Sequence, residues 1–193
     1  MIVGLTGGIG SGKTTVLNFF KAFQNISVYI ADEEAKNLMN SSPLLKSQLI
    51  NAFGKELFVD NTLQRAYLSN LVFKDPKKLQ ILNEIVHPQV AKHFSEFVAL
   101  NAHKAYILYE NAILFETQNN QFCDCILTVS APLEDRISRI IHRDQTTRRA
   151  VLDRMQHQFP EEKKRLQSNY LIQNTSLPAL KEEVYRIHNI LTL

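Results

Sequence analysis

The chain has 193 residues, 45% of them hydrophobic and 21% charged, which is enough for one domain with a sizeable core and unlike a collagen, a low-complexity polymer or a disordered chain. Its 22 Lys and Arg against 19 Asp and Glu leave a net charge of +3, too small to imply a nucleic-acid partner by itself. No apolar run approaches the ~20 residues of a membrane-spanning helix, and Met1–Gly7 has neither the basic start nor the long apolar stretch of a signal peptide, so a cytoplasmic protein with no membrane partner is expected.

The first element is a short apolar run, Ile2-Val3-Gly4-Leu5-Thr6, of the kind found in a buried parallel strand. A glycine-rich loop follows it. Five of the six glycines lie in the first twelve residues, which concentrates backbone freedom in one place. From Lys13 the apolar spacing predicts a helix ending near Phe23, and Val28-Tyr29-Ile30-Ala31 reads as a second strand ending at Asp32. Strand, loop, helix, strand in this order is a βαβ unit.

Residues 33–102 carry almost no strand signal. Helix-like segments fall around 34–40, 43–52, 63–73, 76–86 and 88–101, punctuated by Pro43, Gly54, Pro76 and Pro88. So long a helical stretch exceeds a simple crossover and predicts an inserted helical subdomain. Ala105–Tyr109 and Ile126–Val129 restore the strand pattern, Pro132 opens another helix, and Tyr170–Ile172 precedes a closing helix from Leu177 to about Leu191. Cys123 and Cys125 are too few for a disulfide framework or a four-ligand metal site, and their spacing places them on one face of a buried strand over residues 122–127. Basicity is local: residues 136–165 hold nine Lys and Arg against four acids.

Gly7-Gly8-Ile9-Gly10-Ser11-Gly12-Lys13-Thr14 matches G-x-x-x-x-G-K-[ST] between a strand and a helix, the setting a phosphate-binding P-loop requires. Small residues let successive N–H groups converge on a phosphate, and the helix N-terminus adds partial positive charge. Lys13 is expected to reach the β- and γ-phosphates of ATP, and the Thr14 hydroxyl to ligate Mg²⁺. GTPase signatures are missing: the one later glycine, Gly54, has Asn51 where D-x-x-G needs an acid, and no N-K-x-D follows. A small kinase or a nucleotide-driven binding protein remains.

The opening Val3–Val16, Ala31-Asp32, Leu63-Gln64-Arg65 with Leu71-Val72-Phe73, Leu82-Asn83 with His87-Pro88, Leu114-Phe115-Glu116, Arg139, Arg143-Asp144, Thr147, Gln158, Ile172 and Asn174 together resemble the dephospho-CoA kinase family over nearly the whole length. The resemblance implies an α/β P-loop NTPase of the nucleoside-monophosphate-kinase type: a parallel five-stranded sheet in a core of residues 1–32, 103–135 and 169–193, a helical acceptor-binding insertion at 33–102 and a basic lid at 136–168. The implied reaction moves the ATP γ-phosphoryl group to the 3′-hydroxyl of dephospho-CoA, with Mg²⁺, in a monomer or small homo-oligomer. Three positions depart from the family pattern: Ile30 stands where a first carboxylate is usual before Ala31-Asp32, Ala112 replaces a proline, and Ser168-Asn169 replaces Ala-Asp.

By the same resemblance Gly8, Ile9, Gly10, Ser11, Gly12, Lys13, Thr14, Thr15 and Asn174 bind ATP, Asn174 near the adenine. Asp32 would accept or orient the acceptor hydroxyl proton; a helix N-cap before Glu33-Glu34 is the other role that fits it. Arg139 and Arg143, four apart on one helix face, would clamp the triphosphate, or form a solvated charged face with Arg148, Arg149 and Lys163–Arg165. Arg65 and His87 fall on the acceptor side, His87 also fitting a structural role at a helix start before Pro88. Glu116 is a lid or metal-sphere candidate. Two other classes stay open: a shikimate- or nucleotide-type kinase, and a P-loop regulatory or nucleic-acid-binding ATPase.

Overall fold

Strand β1 (Ile2–Gly7) is buried from Val3 onward, as its mostly apolar composition leads one to expect of a central strand. A computed structural model of the chain describes residues 1–73 and 75–193, the side chain of Phe73 excepted. The chain folds as two compact units, Met1–Tyr29 with Asn101–Leu193, and Ile30–Leu100.

In the first unit, β1 is followed by α1 (Lys13–Phe20), which buries Val16, Leu17 and Phe20, and by β2 (Ile26–Ile30). β2 begins two residues before the apolar run the sequence marks, and α1 stops at Phe20 rather than Phe23, with the Lys21 amide capping the Leu17 carbonyl at 2.9 Å. The five-stranded parallel sheet is completed by β5 (Tyr106–Glu110), β6 (Cys125–Ser130) and β7 (Tyr170–Gln173), in the order β2-β5-β1-β6-β7. β1 is therefore central, with Leu5 opposite Glu110 on one side and Leu127 on the other. Helices α6 (Leu133–Asp144), α7 (Arg148–Met155) and α8 (Glu161–Leu166) lie between β6 and β7, and α9 (Leu177–Leu191) closes the chain. The strand expected over residues 122–127 starts only at Cys125, because Asn119–Phe122 forms a short 3₁₀ helix and Cys123 caps it. Cys123 therefore lies outside β6, and the two thiols, both free and half-buried, do not share one strand.

The second unit holds α2 (Ala31–Ser41), α3 (Pro43–Phe53), α4 (Arg65–Phe73) and α5 (Pro76–Leu100). α2, α3 and α4 pack on α5 around Leu45, Leu49, Leu57, Leu63, Leu68 and Val86. The two segments expected on either side of Pro88 are one helix. Pro88 removes a single N–H from the ladder, and the carbonyl it frees belongs to exposed Glu84, where water can satisfy it. A hairpin the pattern does not announce, β3 (Phe58–Val59) and β4 (Thr62–Leu63), turns at Asp60 and Asn61, both with positive φ of 48° and 64°. Two positive-φ central residues are what a tight two-residue hairpin needs, and Asp and Asn tolerate them.

Candidate functional site

The loop between β1 and α1 leaves the carboxyl end of the central strand, the position at which open α/β sheets bind ligands. Gly10 and Gly12 hold φ of 81° and 93°, a left-handed conformation that costs side-chain-bearing residues roughly 1–2 kcal/mol each. Gly12 is the residue before α1 and accepts amide hydrogen bonds from Thr15 and Val16 at 3.0 and 3.2 Å. The loop walls a cleft of about 540 Å³, with Ala112, Arg139, Ile140, Arg143 and Gln158 on its other sides. Ser11, which lines this cleft, keeps a buried hydroxyl with no partner among the described residues.

Charge in the cleft is arranged around Lys13. Its ammonium is ion-paired with Glu110, the last residue of β5, which is only 4% exposed. Sequence reading does not single out Glu110; its one signal is an acid ending an otherwise apolar strand, and its meaning depends on β5 being the neighbour of β1. Thr14 lies at the exposed start of α1 and lines the cleft. No group of three His, Cys, Asp or Glu able to hold a metal occurs among the described residues. A hydroxyl and a single carboxylate fit a cation that takes most of its ligands from water and phosphate, as Mg²⁺ does.

Arg139 and Arg143 both line the cleft, as their four-residue spacing on α6 leads one to expect. Arg139 Nη1 reaches the Gly10 carbonyl at 3.4 Å. Arg143 binds Asp144 through two nitrogens, at 2.7 and 3.1 Å, and Asp144 also accepts from Arg154 at 2.6 Å. These two guanidiniums hold the Asp144 carboxyl at a pKa of about 2. Asn174, the residue after β7, donates its amide to the Ser11 carbonyl at 2.8 Å and so ties the end of that strand to the loop.

The segment after α7 is bound to the cleft. Gln158 Oε1 accepts from the Ile9 amide at 2.8 Å, and the Ile9 side chain packs with Ile137, Ile140 and Val151 of α6 and α7. Glu116 accepts from the Phe159 amide at 2.7 Å and from Lys164 at 2.9 Å. Lys164 is fully buried, so it does not belong to the solvated face expected of residues 163–165. Arg136 pairs with Glu161 and Arg148 with Glu134, so these two cations are held by acids on neighbouring helices.

The remaining candidates belong to the second unit. Asp32 is the second residue of α2, exposed and directly after β2; the residue before the helix is Ile30 and no side chain caps it, so Asp32 is not an N-cap. Arg65 is the first residue of α4 and exposed. His87 is exposed in the middle of α5 rather than at a helix start, because α5 runs through Pro88.

A family model described as dephospho-CoA kinase matches residues 1–179. Among curated relatives, the dephospho-CoA kinase of Salinibacter ruber is 37% identical over 178 residues, covering 89% of this chain and 87% of its own. That of Bacteroides fragilis is 33% identical over 172 residues, covering 89% and 83%. Among solved structures, TT1252 from Thermus thermophilus superposes with a TM-score of 0.87 at 31% identity, covering 98% of this chain and 96% of its own.

Proposed function

Since this chain belongs to the dephospho-CoA kinase family, we propose that it transfers the γ-phosphoryl group of ATP to the 3′-hydroxyl of dephospho-CoA, giving coenzyme A and ADP. The observation that carries this reading is the cleft at the end of β1, which the glycine loop lines together with Lys13, Thr14, Arg139 and Arg143. Phosphoryl transfer asks the protein for positioning and charge neutralisation more than for covalent chemistry.

In this reading residues 8–15, the loop and the α1 N-terminus, hold the β- and γ-phosphates, and Lys13 exchanges its Glu110 partner for phosphate oxygens. Arg139 neutralises charge on the transferring group, and Arg143 joins it once released from Asp144. Thr14 and Glu110 would hold Mg²⁺, which supplies charge neutralisation on the phosphates. The unit Ile30–Leu100 holds the acceptor, with Arg65 for its phosphates and His87 beside it, and Asp32 orients the 3′-hydroxyl and takes its proton. Residues 136–168 form the lid, whose closure keeps water from the γ-phosphate. The proposed setting is the cytoplasm, as a monomer or small homo-oligomer, with no nucleic-acid partner.

The test is a steady-state assay with MgATP, with and without dephospho-CoA, beside Lys13→Ala and Asp32→Asn. Acceptor-dependent ADP release with matching coenzyme A, lost in both variants, is the expected result. ATP turnover that ignores dephospho-CoA would overturn the reading and favour a regulatory ATPase.

A further inference from the structure

A loop that turns its amides toward one anion must turn its carbonyls outward, and each outward carbonyl then needs a donor of its own. In this chain every carbonyl from Gly8 to Gly12 has one. The loop and helix supply the two ends: Gly8 accepts from the Ser11 amide at 3.0 Å, and Gly12 from Thr15 and Val16. The middle three are met by side chains from distant parts of the chain. Ile9 accepts from Arg136 Nε at 3.0 Å, Gly10 from Arg139 Nη1 at 3.4 Å, and Ser11 from Asn174 Nδ2 at 2.8 Å.

Arg136 differs from the other two donors in being an ion as well as buried, at 7% exposure. Its Nη1 is ion-paired with Glu161 of α8, whose other oxygen accepts from the Ser130 hydroxyl at the end of β6. The guanidinium lies directly against the loop backbone: a Cβ on Gly8 would fall 2.8 Å from Arg136 Cζ. A buried guanidinium fixed on one side by a carboxylate has little freedom on the other, so its Nε is aimed at the Ile9 carbonyl.

We infer that Arg136 is a positioning residue for the nucleotide: oriented by Glu161, it holds the Ile9 carbonyl outward and so keeps the Gly10 amide, which shares that peptide plane, turned toward the phosphates. The inference rests on reading the cleft as the ATP site. A merely structural ion pair between α6 and α8 predicts something different. Breaking a buried pair by removing one partner is strongly destabilising, whereas replacing both partners by apolar residues is often neutral. Stability and nucleotide binding can therefore be separated.

The experiment titrates wild type, Arg136→Met, Arg136→Lys and the double variant Arg136→Met/Glu161→Met with a fluorescent ATP analogue, and melts each protein. Expected is a Kd raised about tenfold or more in Arg136→Met, the size of one lost charge-assisted hydrogen bond. The double variant is expected to keep that weakened binding while recovering the thermal stability that the single variant loses, and Arg136→Lys to fall between. A folded double variant that binds the analogue within twofold of wild type would overturn the inference. The titration contains no acceptor, so its result does not depend on dephospho-CoA. A wild type that binds no analogue would overturn both this inference and the reading beneath it.

Discussion

Lys164 offers the sharpest test of how the segment after α7 is held. Its side chain is 0% exposed, its Nζ lies 2.9 Å from Glu116 Oε1, and it donates to the Ala112 carbonyl at 3.0 Å. Lys164→Met keeps much of the stem's volume and deletes the charge. Glu116, itself only 13% exposed, then loses its counter-ion and keeps only the Phe159 amide. The Ala112 carbonyl is left with two long contacts, from Thr6 and Gln158, both at 3.5 Å. Removing one member of a buried pair costs about 3–5 kcal/mol. In a chain of this length each kcal/mol lowers Tm by about 2–4 °C, so the expected drop is about 6–20 °C. Thermal unfolding followed by far-ultraviolet circular dichroism measures it. Adding Glu116→Gln removes the stranded charge while keeping an acceptor for the Phe159 amide, and is expected to restore more than half of the loss. A single variant melting within about 2 °C of wild type, or a double variant melting below the single one, would refute the reasoning.

Gly12→Ala places a side chain at φ 93° and presses its Cβ on the Asn174 amide; the conformational cost of about 1–2 kcal/mol corresponds to a Tm drop of about 2–8 °C, with loss of nucleotide binding. A variant with unchanged ATP affinity would show that the loop does not need this conformation. Asp32→Asn is expected to lower kcat by about 100-fold or more while leaving the KM for ATP near its wild-type value, the signature of a group acting on the acceptor's proton; a drop of less than about threefold would remove Asp32 from that role. His188, whose Nδ1 lies 2.8 Å from the buried Tyr106 hydroxyl, has its pKa held below 6.5 by burial. The unfolded chain therefore binds the proton first, and stability present above about pH 6.5 declines as pH falls below it. Urea midpoints measured from pH 7.5 to 5 should show this slope flattened in His188→Gln, and an unchanged slope would place its origin elsewhere.

How far the sequence carries depends on the range of the interactions involved. The βαβ unit is legible because strand, glycine loop and helix are written in adjacent residues, and the helical insertion because its apolar spacing is sustained from 33 to 102. The β3–β4 hairpin is missed because two strands of two residues each leave no period to detect. Pro88 misleads for a different reason. A local rule about one N–H loses to a helix whose two halves are packed by three others, and the same error puts His87 at a helix start.

The site divides along a similar line. G-x-x-x-x-G-K-[ST] describes the face of the loop that meets phosphate, and those residues are found where the motif puts them. It is silent about the opposite face, whose carbonyls are held by Arg136, Arg139 and Asn174, each more than a hundred residues away in the chain. A count of charges over residues 136–165 cannot anticipate this either, because it treats every cation as equally free. In the fold Arg143, Arg148 and Arg154 answer local acids, Lys164 answers Glu116, and Arg136 is fixed by Glu161. Arg139 donates to the Gly10 carbonyl, and it lines the cleft together with Arg143. The nine cations of residues 136–165 are thus not alike: Arg136 and Lys164 are buried in ion pairs, Arg139 and Arg143 line the cleft, and Arg149, Lys163 and Arg165 stay on the exposed surface.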